Sequence, residues 1–152
     1  MDAITIQILR NKIASLVDEM HYHFYRSGYS TIIRESRDFS CVILDRTGRR
    51  IVAPPMFFHA PVYRYLVGRI RELYGDEIKE GDVFVSNHPY EGGLPHVSDM
   101  AFVAPVFADG KIVAFAGSIA RQVTGSDGDS QRRRPQATPG RGTVHPPWCR
   151  RS

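Results

Sequence analysis

The stretch PYEGGLPHVSDM, residues 89–100, holds His96 and Asp99 three residues apart in a loop with two adjacent glycines. A neutral imidazole and a carboxylate are both suitable donors to Zn²⁺, Mn²⁺ or Fe²⁺. Gly92 and Gly93 permit close backbone approach or positive φ, which a ligand-presenting loop needs. The same residues also describe an ordinary turn with an aspartate cap leading into a strand. The H-x-x-D spacing alone does not separate the two readings. Asp38, in RDFSC, is a further candidate because it sits just ahead of an apolar run. A strand end is a rigid place from which to aim a ligand, and a cap or turn aspartate is the plain alternative.

The remaining reactive residues carry less. His21 and His23 lie two apart on a helical stretch, so they point to different sides and read as packing or solvent-facing groups rather than a metal pair. His88 reads as a loop histidine before it reads as an extra ligand. Cys41 and Cys149 are too few and too far apart for a disulfide framework or a metal cluster. No phosphate-binding loop, dinucleotide fingerprint or nucleophile elbow is present. If ATP is used, another chain must bind it.

These candidates need a scaffold, and residues 1–120 supply one. Ile6, Leu9, Ile13, Leu16, Val17, Met20 and Phe24 recur at helical spacing. They predict a helix from Ile4 to about Arg26, capped by Asp2 and ended by Gly28. FSCVILD and RRIVAP, joined around RTG, predict a hairpin. Residues 62–74 return to helical spacing, with Gly75 as the stop. A short strand, DVFVSN, follows the turn KEGD. A last hairpin is predicted around Ala108-Asp109-Gly110. The fold class is α/β (α+β), with a largely antiparallel mixed sheet and helices packed on one side of it.

Residues 121–152 have another character. Pro, Gly, Arg and Ser dominate and no periodicity survives. Such a stretch cannot bury enough apolar surface to offset its ordering entropy, so a disordered basic tail is expected. The charge follows the same division. Residues 1–120 carry 13 Lys and Arg against 14 Asp and Glu, a net of −1. Residues 121–152 carry 7 Arg against 2 Asp, so the whole net charge of +4 comes from the tail. The expected globular part therefore has no basic bias toward phosphate, and a nucleic-acid partner is disfavoured. The N-terminus lacks a cationic-then-apolar leader and no run is long enough to span a bilayer. A cytoplasmic protein without membrane contact is expected.

Four segments resemble the N-terminal part of the hydantoinase B/5-oxoprolinase family, which includes N-methylhydantoinase B subunits and a subunit of acetone carboxylases. They are AITIQILRNKIASLVDEM, YSTIIRESRDFSCVILDRTGRRIVA, GDEIKEGDVFVSNHPYEGGLPHVSDM and AFVAPVFADGKIVAFAGSIA. Their order covers residues 1–120, the opening part of a much longer subunit. The resemblance implies hydrolytic ring opening of a cyclic amide, such as a hydantoin or 5-oxoproline, at a divalent metal (Zn, Mn or Fe). A hydantoinase A-like partner subunit would use ATP to activate the ring. Asp38, His96 and Asp99 match the family's metal ligands.

Two departures matter. The family places a further His after the last hairpin, where this chain has Arg121. A guanidinium is permanently charged, cannot ligate a dication and repels one. The resemblance also stops at residue 120. This chain alone is accordingly expected to be inactive, a truncated subunit or a non-catalytic remnant that still docks on its partner. A basic-tailed nucleic-acid binder is the remaining alternative. Strand edges left open where further chain would pack favour oligomers or aggregation. The Arg/Pro/Gly bias after residue 120 is what GC-rich DNA gives in a shifted frame. Resequencing the coding DNA is expected to find a D-x-G-G-like continuation in another frame, and its absence would remove the frameshift reading.

Overall fold

A computed structural model describes residues 2–27, 38–52, 60–90, 92–96, 98–121 and 149–151. The elements are α1 (Ala3–Ser27), β1 (Phe39–Asp45), β2 (Arg50–Val52), α2 (Ala60–Tyr74), β3 (Val83–Ser86), β4 (Asp99–Ala108), β5 (Lys111–Arg121) and β6 (Cys149–Arg151). A short 3₁₀ turn, Gly75–Glu77, follows α2. The strands form one antiparallel sheet in the order β2-β1-β5-β4-β3-β6. Among the described residues no helix is long and apolar enough to cross a membrane.

Local chemistry explains the element ends. Asp2 caps α1, accepting the Thr5 backbone N–H at 2.7 Å and its hydroxyl at 3.0 Å. Gly28 lies outside the described residues. In the β1–β2 turn, Asp45 Oδ1 accepts the Thr47 N–H, the Thr47 hydroxyl and the Arg49 N–H. Partial burial raises the Asp45 pKa, but these bonds outweigh it and hold the carboxyl below its ordinary value. The β4–β5 hairpin turns at Asp109 and Gly110, both at positive φ, +50° and +71°. That pair of angles is the type I′ geometry that matches strand twist.

Helices pack on both faces of the sheet, α1 over the β1 end only, whereas the sequence suggested helices on one side. Alternate residues of a strand point to opposite faces. Val42 and Leu44 join Phe115, Ile119, Ala101, Val103 and Phe84 in the main core, against Tyr63, Leu66, Val67 and Ile70 of α2. Phe39, Cys41 and Ala120 point the other way and pack against Met20 and Phe24 of α1. The Phe24 and Phe39 rings stack with centroids 5.0 Å apart. Apolar periodicity marks a helix's buried stripe but not the face of the sheet it will meet.

The two helices are seated very differently. Tyr63, Leu66, Val67 and Ile70 of α2 are all at most 1% exposed. On α1 only Val17 is fully buried, and Ile6, Leu9 and Leu16 of the same apolar stripe remain about half exposed. The N-terminal half of α1 thus carries its stripe past the sheet. Phe102 and Val106 on β4, which alternate with the buried Ala101 and Val103, are also exposed.

The tail is described only at Arg121, the last residue of β5, and at Cys149–Arg151, which pair with Val83–Val85. The expectation of disorder otherwise falls outside the described residues. The three-residue strand β6 was not anticipated, because it has no alternation of its own and takes its register from β3.

The fit of α2 on the sheet depends on Gly117. The Tyr63 hydroxyl lies 2.8 Å from Ser40 Oγ and donates to the Ser40 carbonyl at 3.1 Å. The Tyr63 ring crosses β5 at Gly117, where a Cβ would lie 2.7 Å from Tyr63 Cε1. Gly117→Ala is expected to destabilise the chain by about 1–3 kcal/mol through overpacking, read by urea denaturation; an unchanged midpoint would deny the close ring contact. Cys41 gives a second check. Burial pushes its thiol up to about 12 from 9.0, so at pH 8 the thiolate is roughly one part in ten thousand. In a Cys149→Ser variant, a thiol reagent is expected to label Cys41 only after denaturation. The unfolded thiol ionises first, so this group's stability contribution is complete below pH 9 and fades between pH 9 and 12.

Candidate functional site

Three strand ends meet at one end of the sheet. Phe39 pairs with Ala120 and Asp99 pairs with Arg121. The Arg121 N–H donates to the Asp38 carbonyl at 3.2 Å, extending the β1–β5 ladder by one residue. Asp38, Arg121 and Asp99 therefore stand in a row across β1, β5 and β4, sharing the face that carries Ser40, Ile119 and Ala101. At ladder spacing the Asp38 and Asp99 Cα atoms are roughly 10 Å apart, with β5 between them. Two candidate ligands widely separated in sequence are thus brought to one place.

The glycine loop sets the entry to β4. Gly92 donates its N–H to the His88 carbonyl at 2.8 Å, closing a tight turn. A Cβ there would lie 2.5 Å from that oxygen and 3.0 Å from Ser86 Oγ, so only glycine fits. Gly93 has φ +65° and lies under the Tyr65 ring. The Asp99 N–H then donates to the His96 carbonyl at 3.0 Å. Asp99 is 3% exposed. His96 is exposed and comes before the turn into β4.

Arg121 stands between the two aspartates in the strand order, and its side chain turns to Asp38 and Ser98. Its Nη1 lies 3.4 Å from Asp38 Oδ2 and its Nε lies 3.5 Å from Ser98 Oγ. Both members of the ion pair are a little over a third exposed, so solvent screens it to about 1 kcal/mol at most. Among the described residues no three His, Cys, Asp or Glu side chains are grouped to hold a metal ion. The donor types at Asp38, His96 and Asp99 suit a divalent cation, but their arrangement here does not form a ligand set. Ligand bonds are ~2 Å long, and the Arg121 guanidinium already lies against the Asp38 carboxylate.

The other candidate histidines resolve as packing or solvent-facing groups. His21 Nδ1 lies 3.2 Å from the Val17 carbonyl and its ring meets Phe39 at 5.2 Å. His23 faces Glu19 at 3.6 Å on the exposed side of α1. His88 donates its backbone N–H to Ser86 Oγ at 3.2 Å and approaches the Tyr90 ring. Ser98 was missed from the sequence. Only its neighbourhood to a residue 23 positions later gives it meaning.

The family described as hydantoinase B/oxoprolinase matches residues 2–126. A B-type component of a D-/L-hydantoinase from Pseudomonas sp. (strain NS671) is 32% identical over 130 residues, which are 81% of this chain and 22% of that one. The 5-oxoprolinase 1 of Arabidopsis thaliana is 32% identical over 121 residues, 77% of this chain and 9% of the relative. The fold is shared with the ATP-dependent caprolactamase of Pseudomonas jessenii. That match has a TM-score of 0.67 at 24% identity and covers 80% of this chain and 21% of the caprolactamase. The chain thus spans a small part of the relatives it matches. With most of its length matched by one family, this chain belongs to the hydantoinase B/oxoprolinase family.

Proposed function

We propose that this chain is the N-terminal part of a hydantoinase B-type subunit, acting in the cytoplasm with a hydantoinase A-like, ATP-using partner. The proposed reaction of the complete assembly is hydrolytic ring opening of a cyclic amide such as a hydantoin or 5-oxoproline. The observation that carries this reading is the family match over residues 2–126, together with the placement of Asp38 and Asp99 at the same end of the sheet. In the proposed site, Asp38, His96 and Asp99 are this segment's share of the donors for a divalent metal such as Zn, Mn or Fe. They take that role only with Arg121 moved off Asp38. A metal held there would polarise the ring carbonyl or an acyl phosphate, or supply hydroxide near neutral pH. In this chain the Asp38 carboxylate faces the Arg121 guanidinium, and most of the length of the relatives that would hold a substrate in place lies outside the matched residues. By itself the chain is proposed to be inactive.

A second reading is favoured by a separate observation. Ile6, Leu9 and Leu16 on α1 and Phe102 and Val106 on β4 present apolar surface that the described residues do not cover. That suits a non-catalytic module whose role is to pack against further subunit surface. Both readings predict a complex with the ATP-using partner. Mixing purified chain with the hydantoinase A-like subunit is expected to give a stable complex in size-exclusion chromatography. No ring-opened product or ADP above the partner's own rate should appear with hydantoin or 5-oxoproline. ATP-coupled turnover by the mixture would overturn the inactivity, and absence of any complex would overturn the subunit role.

A further inference from the structure

We propose that Arg121 takes the place of a bound cation at this sheet end. Carried on β5, its guanidinium reaches Asp38 on the β1 side and Ser98 on the β4 side, and so supplies positive charge between strand ends that a metal would otherwise have to supply.

Asp99 is the cross-strand partner of Arg121, and the Asp38 carbonyl accepts the Arg121 N–H. Two acidic residues are therefore placed by backbone register on either side of one residue. The negative charge of Asp38 is met by the positive group that the register puts beside it, the side chain at position 121. Arginine meets it without any ion, because its charge persists at every working pH. Its planar fork offers separate donors, here Nη1 toward Asp38 and Nε toward Ser98. Lysine would present a single point charge and could not address both sides with fixed geometry.

The arrangement also excludes a metal. A dication at the row would share its space with a permanent positive charge 3.4 Å from the very oxygen it needs. The pair is partly exposed, so the effect lies in occupancy and charge rather than in large stability. The inference concerns this sheet end alone and stands or falls whether or not a partner docks.

The test uses the full chain and metal salts. Wild-type protein equilibrated with Zn²⁺ or Mn²⁺ and then desalted is expected to retain no stoichiometric metal by elemental analysis. Its melting midpoint should not move with a chelator. Arg121→His removes the guanidinium and offers an imidazole. It is expected to retain zinc and to melt several degrees higher at zinc well above the dissociation constant. Adding Asp38→Asn to that variant should abolish the response. Stoichiometric metal in the wild-type protein, or a midpoint that falls on chelation, overturns the proposal even if the variant fails to fold. A folded Arg121→His chain, with wild-type circular dichroism, that ignores zinc overturns it as well.

Discussion

One buried contact sets the distance between α2 and the sheet on which everything else is mounted. The Tyr63 hydroxyl is pinned at Ser40, and its ring can come this close to β5 only because residue 117 has no side chain. An aromatic hydroxyl that is 1% exposed must find its hydrogen bond inside the protein. Ser40 offers both a carbonyl and a hydroxyl at the right place, two residues along β1 from Asp38. The same contact that seats the helix thereby fixes the beginning of β1, and with it the position from which Asp38 is aimed. Burial drives the Tyr63 pKa upward, so within the physiological range this hydroxyl is a neutral structural donor.

From that fixed point the chemistry of the sheet end follows by register. β1 and β4 do not touch; β5 lies between them and brings Arg121 level with both aspartates. Position 121 is the one that stands between the two aspartates in the strand order. The charged fork joins Asp38 and Ser98 in one polar cluster. The loop ahead of β4 has less freedom than its glycines suggest, since Gly92 is pressed against the His88 carbonyl. Its composition reflects tight backbone packing at least as much as ligand presentation.

Much of this fold was legible in the sequence. Helix α2 runs Ala60–Tyr74 against an expected 62–74, and Asp2 caps α1 as its position suggests. Both hairpins turn where Thr47-Gly48 and Asp109-Gly110 indicate. Periodicity and turn chemistry are local signals, and these are local features. What was not legible depends on contacts distant in sequence. The sheet order, the choice of face for each helix and the pairing of Arg121 with Asp38 involve residues 80 or so positions apart. Proximity of Asp38 to the His96–Asp99 segment was indicated by the resemblance, not by spacing. Arg121 as the group standing between the aspartates became visible only once β5 was placed between β1 and β4. The N-terminal turns of α1 carry the same apolar code as its buried turns, so the sequence alone could not tell covered from uncovered.

The sheet order also bears on how the chain is made. Cys41 on β1 finds its partner at Ser118 on β5, so nearly 80 residues must be synthesised between the two. At ribosomal speeds of about 5–20 residues per second that is a wait of roughly 4–15 s. Throughout it, Phe39–Leu44 is an apolar strand with both edges open except for the short β2 hairpin. A nascent chain in that condition is a natural client for chaperones. Slow translation between the two strands would lengthen its exposure.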